Sequence, residues 1–195
     1  MTCPFQIAMS VAVTLCVCAC GGGSSQATGA THAALPSRPV ELTLRTPDGQ
    51  FLDLGDLRGQ PTILFLFATF DALSQAAFHP VASFHRLHPE AHVVGLAAQP
   101  DGEELVAAYT EAMHVSFTVA YDPDNTVARG ISGLGPIEAV PMFIALDENG
   151  YVVHEHVGYA SEGQLERMLL IAEHMPIPSG PPAEDAPEAS APPSP

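Results

Sequence analysis

The sequence predicts an α/β fold with parallel strands joined by right-handed helical crossovers, and three observations carry that reading. Ile63 to Phe67 is an unbroken apolar run bounded by Gly59, Gln60 and Pro61, the pattern of a strand buried on both faces. Two further apolar runs, Ala91 to Ala98 and Phe117 to Tyr121, alternate with segments of helical spacing, as in consecutive strand–helix–strand units. Two turn signatures, Pro47-Asp48-Gly49 and Asn149-Gly150, sit between apolar segments and mark a hairpin near each end of the domain.

The ends of the chain read differently. Phe5 to Ala19 is apolar except for Gln6, Ser10 and Thr14, too short to span a bilayer, which takes about 20 residues. It reads as the core of a secretory signal over residues 1–19. Val17-Cys18-Ala19-Cys20-Gly21 resembles a bacterial lipobox, which would make Cys20 the lipidated first residue and tie the protein to a membrane. Cys18 stands where a small non-thiol residue is usual, and no Lys or Arg precedes Phe5. A plain signal peptide with an incidental Cys20, or a metal or disulfide cluster of Cys16, Cys18 and Cys20, are the alternatives. Gly21 and Gly22 lack the acidic residue that favours inner-membrane retention, a hint of the outer membrane. Residues 20–38 are Gly, Ser, Ala and Thr without periodicity, a flexible tether whose 18 residues after Cys20 reach roughly 23 Å. Residues 176–195 hold eight prolines, three acids and no base, and are expected to be disordered. The folded domain is therefore expected over 39–175.

Within it, Val40, Leu42 and Leu44 alternate into the turn at Thr46–Gly49, followed by Phe51, Leu52 and Leu54. After the buried run, Asp71 opens a helix whose apolar stripe is Leu73, Ala77, Pro80, Val81, Phe84 and Leu87. Pro80 predicts a kink in it, and His88-Pro89 its end. Asp101 to His114 is a second helix, with Leu105, Tyr109, Ala112 and Met113 on one face. Asp122 to Asn125 is a turn and Thr126 to Ile131 a short helical turn. Phe143–Leu146 and Tyr151–Val157 form the last hairpin. Ser161-x-x-Gln164 is a capping box opening a final helix with Leu165, Met168, Leu169, Ala172 and Met175 buried.

Phe67-Ala68-Thr69-Phe70 resembles the aromatic-Ala-x-aromatic run before the redox Cys-x-x-Cys of thioredoxin-like, especially TlpA-like, proteins. Leu54–Gln60 resembles the lead-in to the first buried strand of TlpA-like and peroxiredoxin-like domains. Val140-Pro141-Met142 resembles the family's Val-Pro-Thr, whose proline is cis. The resemblance spans roughly Val40 to Met175 and implies a thioredoxin-like three-layer α/β/α sandwich with a central mixed sheet and an N-terminal β-hairpin. It also implies a cis Val140–Pro141 peptide lying against Asp71. Asp71 occupies the nucleophile's place. The second cysteine's place falls on Ser74 in a Cys-x-x-Cys frame, or on Gln75 if Pro80 is aligned with the family's proline.

The chain departs from the family in its chemistry. Its four cysteines are Cys3, Cys16, Cys18 and Cys20, so no thiol follows position 20. Thiol–disulfide exchange needs a thiolate. Asp71 reads as a helix N-cap, and the positive end of the helix dipole lowers its pKa and weakens it as a base. Ser74 has no His/Asp constellation or nucleophile elbow beside it. Gly130 to Gly135 lacks the lysine of a phosphate-binding loop, the chain having no Lys at all, and reads as a connection. His79, His85, His88 and His92, with His154 and His156 on one side of the last strand, show no convergent metal set and read as solvated. The copper-liganding histidine of copper-chaperone relatives is absent near Val140. With 22 acidic residues against six arginines, a formal charge of −16, nucleic acid and bare anionic membrane are excluded as partners.

The function expected is a redox-inactive lipoprotein of the cell envelope without cofactor or catalytic residues. It would bind a protein or peptide in a groove formed by Phe67, Thr69, Phe70, Asp71, Val140, Pro141 and Met142. The alternatives are a TlpA-like oxidoreductase borrowing a partner's cysteine, or weak copper or metal handling.

Overall fold

The computed structural model describes residues 35–100 and 102–174. The signal segment, Cys20, most of the tether, Met175 and the Pro-rich tail lie outside the described residues. Seven strands form one mixed sheet: β1 (Thr43–Arg45), β2 (Phe51–Asp53), β3 (Thr62–Phe67), β4 (His92–Ala97), β5 (Thr118–Tyr121), β6 (Met142–Leu146) and β7 (Val152–Val157). Their order is β2-β1-β5-β4-β3-β6-β7. The helices are α1 (Ala72–Leu87), α2 (Gly102–Met113) and α3 (Glu162–His174), with a 3₁₀ turn at Leu54–Leu57. Among the described residues no helix is long and apolar enough to cross a membrane.

β3 pairs in parallel with β4 and antiparallel with β6, and β4 pairs in parallel with β5. Every residue of β3 is buried, because the sheet covers its edges and packed chain covers both faces. Side-chain alternation divides the core. Ile63, Phe65 and Phe67 face α1, α2 and α3, while Leu64 and Leu66 face the other side. Both crossovers, through α1 and α2, advance along the sheet in the same direction. Right-handedness therefore lays the two helices on one face, where α3 joins them. The opposite layer is made from the 3₁₀ turn and the β5–β6 connection, which contributes Val127, Leu134 and Ile137.

The helical face is aromatic. Phe78 of α1 lies 5.1 Å from Phe65, 5.0 Å from Phe67, 5.3 Å from Tyr109 and 5.7 Å from Phe117, centroid to centroid. Phe65 also stacks on Phe143 at 5.0 Å. Gly95 makes room for this cluster: a Cβ there would stand 2.9 Å from Cε2 of Phe117.

Two helical stripes differ from the sequence expectation. On α1 the buried positions are Ser74, Ala77, Phe78, Pro80, Val81 and Phe84, whereas Leu73 and Leu87 are exposed. The helix turns Phe78 into the aromatic cluster, and its two terminal leucines project past the sheet. The helix runs from Ala72 to Leu87 with Pro80 inside it. On α2, Gly102 and Val106 are buried with Tyr109 and Met113 packed beside them, while Leu105 and Ala112 are exposed. Gly102 sits so close to β5 that an added Cβ would lie 3.0 Å from Cβ of Tyr121, and that approach sets the helix rotation. Thr126 to Ile131 forms turns and no helix; the buried Asp122 organises it, accepting from the Val127 N–H and the Thr126 hydroxyl at 2.8 Å each.

The remaining turns follow their residues. Gly49 (φ +82°) closes the first hairpin and Gly150 (φ +85°) the last, conformations that a Cβ disfavours. Buried Asp147 holds the latter by accepting from the N–H groups of Asn149 and Tyr151. At α3 the Gln164 side chain accepts from the Ser161 N–H at 2.9 Å, one arm of the capping box; the Ser161 hydroxyl donates to the same oxygen.

Candidate functional site

β3, β4, β5 and β7 run in one direction and β6 in the other, so the carboxyl ends of four strands meet the amino end of β6 at one edge. The helices α1, α2 and α3 all begin at this edge. The chain leaves β3 at Phe67 and passes through Ala68, Thr69 and Phe70 into Asp71. Thr69 is anchored from the segment just past β4: its N–H donates to Oε1 of Gln99 at 2.6 Å and its hydroxyl to the same oxygen at 3.1 Å. Gln99 is itself buried, at 7% exposure. The Asp71 N–H donates to the Ala68 carbonyl at 3.1 Å, closing a tight turn.

Asp71 is the N-cap of α1, with extended backbone (φ −93°, ψ 120°). Its Oδ2 accepts from the Ser74 N–H at 2.6 Å. The Ser74 hydroxyl also bonds the carboxylate, and these two bonds hold the Asp71 pKa below the usual carboxylate value. Ser74 is fully buried, and its Oγ accepts from the Ala68 N–H at 3.4 Å. A chain of bonds thus runs from the end of β3 through Ser74 to Asp71. Gln75 lies outside it, exposed, with Nε2 donating to the Thr69 carbonyl at 3.2 Å. Of the two candidates for the partner position, Ser74 is the one that engages Asp71.

The Val140–Pro141 peptide is cis. The pair Leu66–Met142 ends the β3–β6 ladder, so Pro141 comes alongside Phe67, with Asp71 four residues further on. The Pro141 carbonyl accepts from the Gly158 N–H at 2.7 Å. Of the residues expected to line a groove here, Phe67, Pro141 and Met142 are buried, while Thr69, Asp71 and Val140 are half-exposed. Phe70 is 78% exposed. The half-exposed Val140 makes no backbone hydrogen bond within the described residues.

Sequence reasoning missed two contributors. Gln99 carries no local motif and acts only through the parallel register of β3 and β4. Tyr109, read there as part of a helix face, stacks on Phe67 at 5.7 Å with its hydroxyl buried and without a hydrogen-bond partner among the described residues. Burial, and secondarily the charge of Asp71, raise its pKa.

The histidines are dispersed. His88 caps the end of α1, stacks on Phe84 at 4.5 Å and contacts Glu90 at 2.8 Å. The pairings of His154 with Ala145 and His156 with Phe143 put both imidazoles on the helical face. Burial, then the neighbouring His156, lower the His154 pKa. Among the described residues no three His, Cys, Asp or Glu side chains are placed to hold a metal ion. A cleft of about 550 Å³ opens at the opposite edge of the sheet, lined by Pro39, Arg58, Gly59, Glu148, Asn149 and Tyr151.

The Redoxin family model matches residues 30–169. No curated protein matches the chain. Among solved structures it is similar to MTB dsbF at 24% identity, with a TM-score of 0.60 over 71% of this chain and 99% of that one. It is similar to a thioredoxin family thiol:disulfide interchange protein from Chlorobium tepidum TLS at 20% identity, with a TM-score of 0.56 over 72% and 99% of the two chains. A secreted Mycobacterium tuberculosis disulfide oxidoreductase homologous to E. coli DsbE aligns at 18% identity, with a TM-score of 0.54 over 67% and 95%. At these identities the likeness establishes the thioredoxin-like fold.

Proposed function

The chain belongs to the Redoxin family, and we propose that it is a non-catalytic member that binds an extended segment of a protein partner at the Asp71–Pro141 edge. The observation that carries the reading is the fate of the two reactive places. No thiol follows Cys20, and Asp71 and Ser74 are bonded to each other in a helix cap. A carboxylate whose pKa is held low is a poor base and forms no disulfide. What the edge retains is recognition surface: the exposed Phe70 ring, and the Val140 main chain with no partner in the described residues. An extended segment laid beside Val140 would pair with it as a strand adds to a sheet edge. The signal-like segment and Cys20 support export and lipid anchoring in the cell envelope.

Reduction of insulin by dithiothreitol tests the absence of catalysis. The expected result is a rate equal to dithiothreitol alone, and a protein-dependent acceleration sinks the reading. Affinity capture from an envelope extract tests binding: a specific partner that Pro141→Ala releases supports it, and a partner indifferent to that change counts against it. A second reading is favoured by the similarity to a structure described as a disulfide oxidoreductase. In it a partner chain supplies the cysteine, and insulin reduction appears only when that partner is added.

A further inference from the structure

We infer that the partner segment presents a cationic side chain, Arg or Lys, next to a bulky apolar one. This rests on the binding role proposed above for the same edge and names the partner's chemistry. The apolar half follows from what is exposed there. Phe70 (78%) and Leu73 (46%) begin α1, and Val157 (48%) and Tyr159 (42%) follow β7, where Gly158 is bonded to Pro141. Phe70 and Leu73 flank Asp71, and Val157 and Tyr159 flank the Gly158 that bonds Pro141 next to Val140; all four are exposed.

The cationic half follows from charge complementarity. Asp71 is ionised and exposed enough to be met, and no ion pair to it exists within the described residues. The same edge carries Glu103 and Glu104 in the first turn of α2, Glu138 before the cis proline, and Glu162 in the first turn of α3. The chain has no lysine to answer them. Of its arginines, Arg58 is held by Glu41 at the opposite edge, while Arg45 pairs with Tyr121 at the end of β5 and lies 4.4 Å over the Phe51 ring. Glu103 meets the Tyr121 hydroxyl there, which leaves Asp71 as the carboxylate beside the cis proline. Exposed apolar side chains beside carboxylates that form no ion pair among the described residues repel an acidic segment and favour a basic one. The Phe70 face offers the cation a second contact beside Asp71.

The test is selection of a phage-displayed random decapeptide library on the immobilised full chain at low salt, with binding of the enriched peptides then measured in solution. The expected peptides carry Arg or Lys beside Phe, Leu, Ile or Tyr, and bind more weakly as salt rises. Asp71→Asn keeps the helix cap and removes the charge, so it is expected to weaken them roughly threefold or more. Phe70→Ala is expected to weaken them as well. Enriched peptides without cations, or cationic ones lost on Phe70→Ala but indifferent to Asp71→Asn, overturn the inference and leave the binding role standing. No enrichment over a bare surface, or binding indifferent to both substitutions, overturns both.

Discussion

Replacing Asp71 separates its two structural contributions, the hydrogen bond and the charge. Asp71→Ala removes the acceptor for the Ser74 N–H (2.6 Å) and the bond from the Ser74 hydroxyl. The loss of a helix cap costs about 1 kcal/mol. Asp71→Asn keeps an acceptor in place and loses only the charge at the helix terminus, about 0.3–1 kcal/mol. For a domain of this size a 1 kcal/mol loss lowers Tm by about 3–5 °C. The pH dependence has a definite sign. Because the folded pKa of Asp71 is lowered from 3.8, its charge stabilises fully above that value and ceases to do so as pH falls through the folded pKa. The gap between wild type and Asp71→Asn is therefore constant through neutral pH and closes in strong acid. Urea unfolding followed by circular dichroism, at neutral pH and in steps down to strong acid, measures it. Equal midpoints for all three proteins at neutral pH, or an Asn deficit that persists undiminished in strong acid, would refute the capping role.

Other substitutions probe the layers around this turn. Phe78→Ala removes the ring that touches Phe65, Phe67, Tyr109 and Phe117, and is expected to cost about 3–5 kcal/mol in urea unfolding. Gln99→Leu leaves the Thr69 N–H without its acceptor, an expected loss of about 1–3 kcal/mol, with faster hydrogen exchange at Thr69 as the specific readout. Asp71→Cys with Ser74→Cys is expected to yield an oxidisable pair, seen as loss of free thiol on mild oxidation. Asp71→Cys with Gln75→Cys is expected to keep its thiols, since Gln75 points away from Asp71 toward Thr69.

Much of the fold was legible because its signals are local. The apolar run of β3, the glycines of the two hairpins and the serine–glutamine pair at α3 each act within a few residues, so spacing alone reveals them. The helical stripes were legible only in part. Leu105 is more apolar than Gly102, yet the glycine faces the sheet, because the approach of α2 to Tyr121 is decided by the strand beneath it.

The candidate site divides along the same line. That no thiol stands after residue 20, that an acid opens α1 and that a proline follows Val140 are properties of the one-dimensional string, legible before any folding. Which partner position meets Asp71, that Gln99 fastens the loop from beyond the end of a neighbouring strand, and that Phe67 and Pro141 are buried while Phe70 is bare are decided by packing across the sheet. Contacts between distant residues depend on strand register and helix rotation. Those are set by the whole core at once, and no short stretch of the chain encodes them.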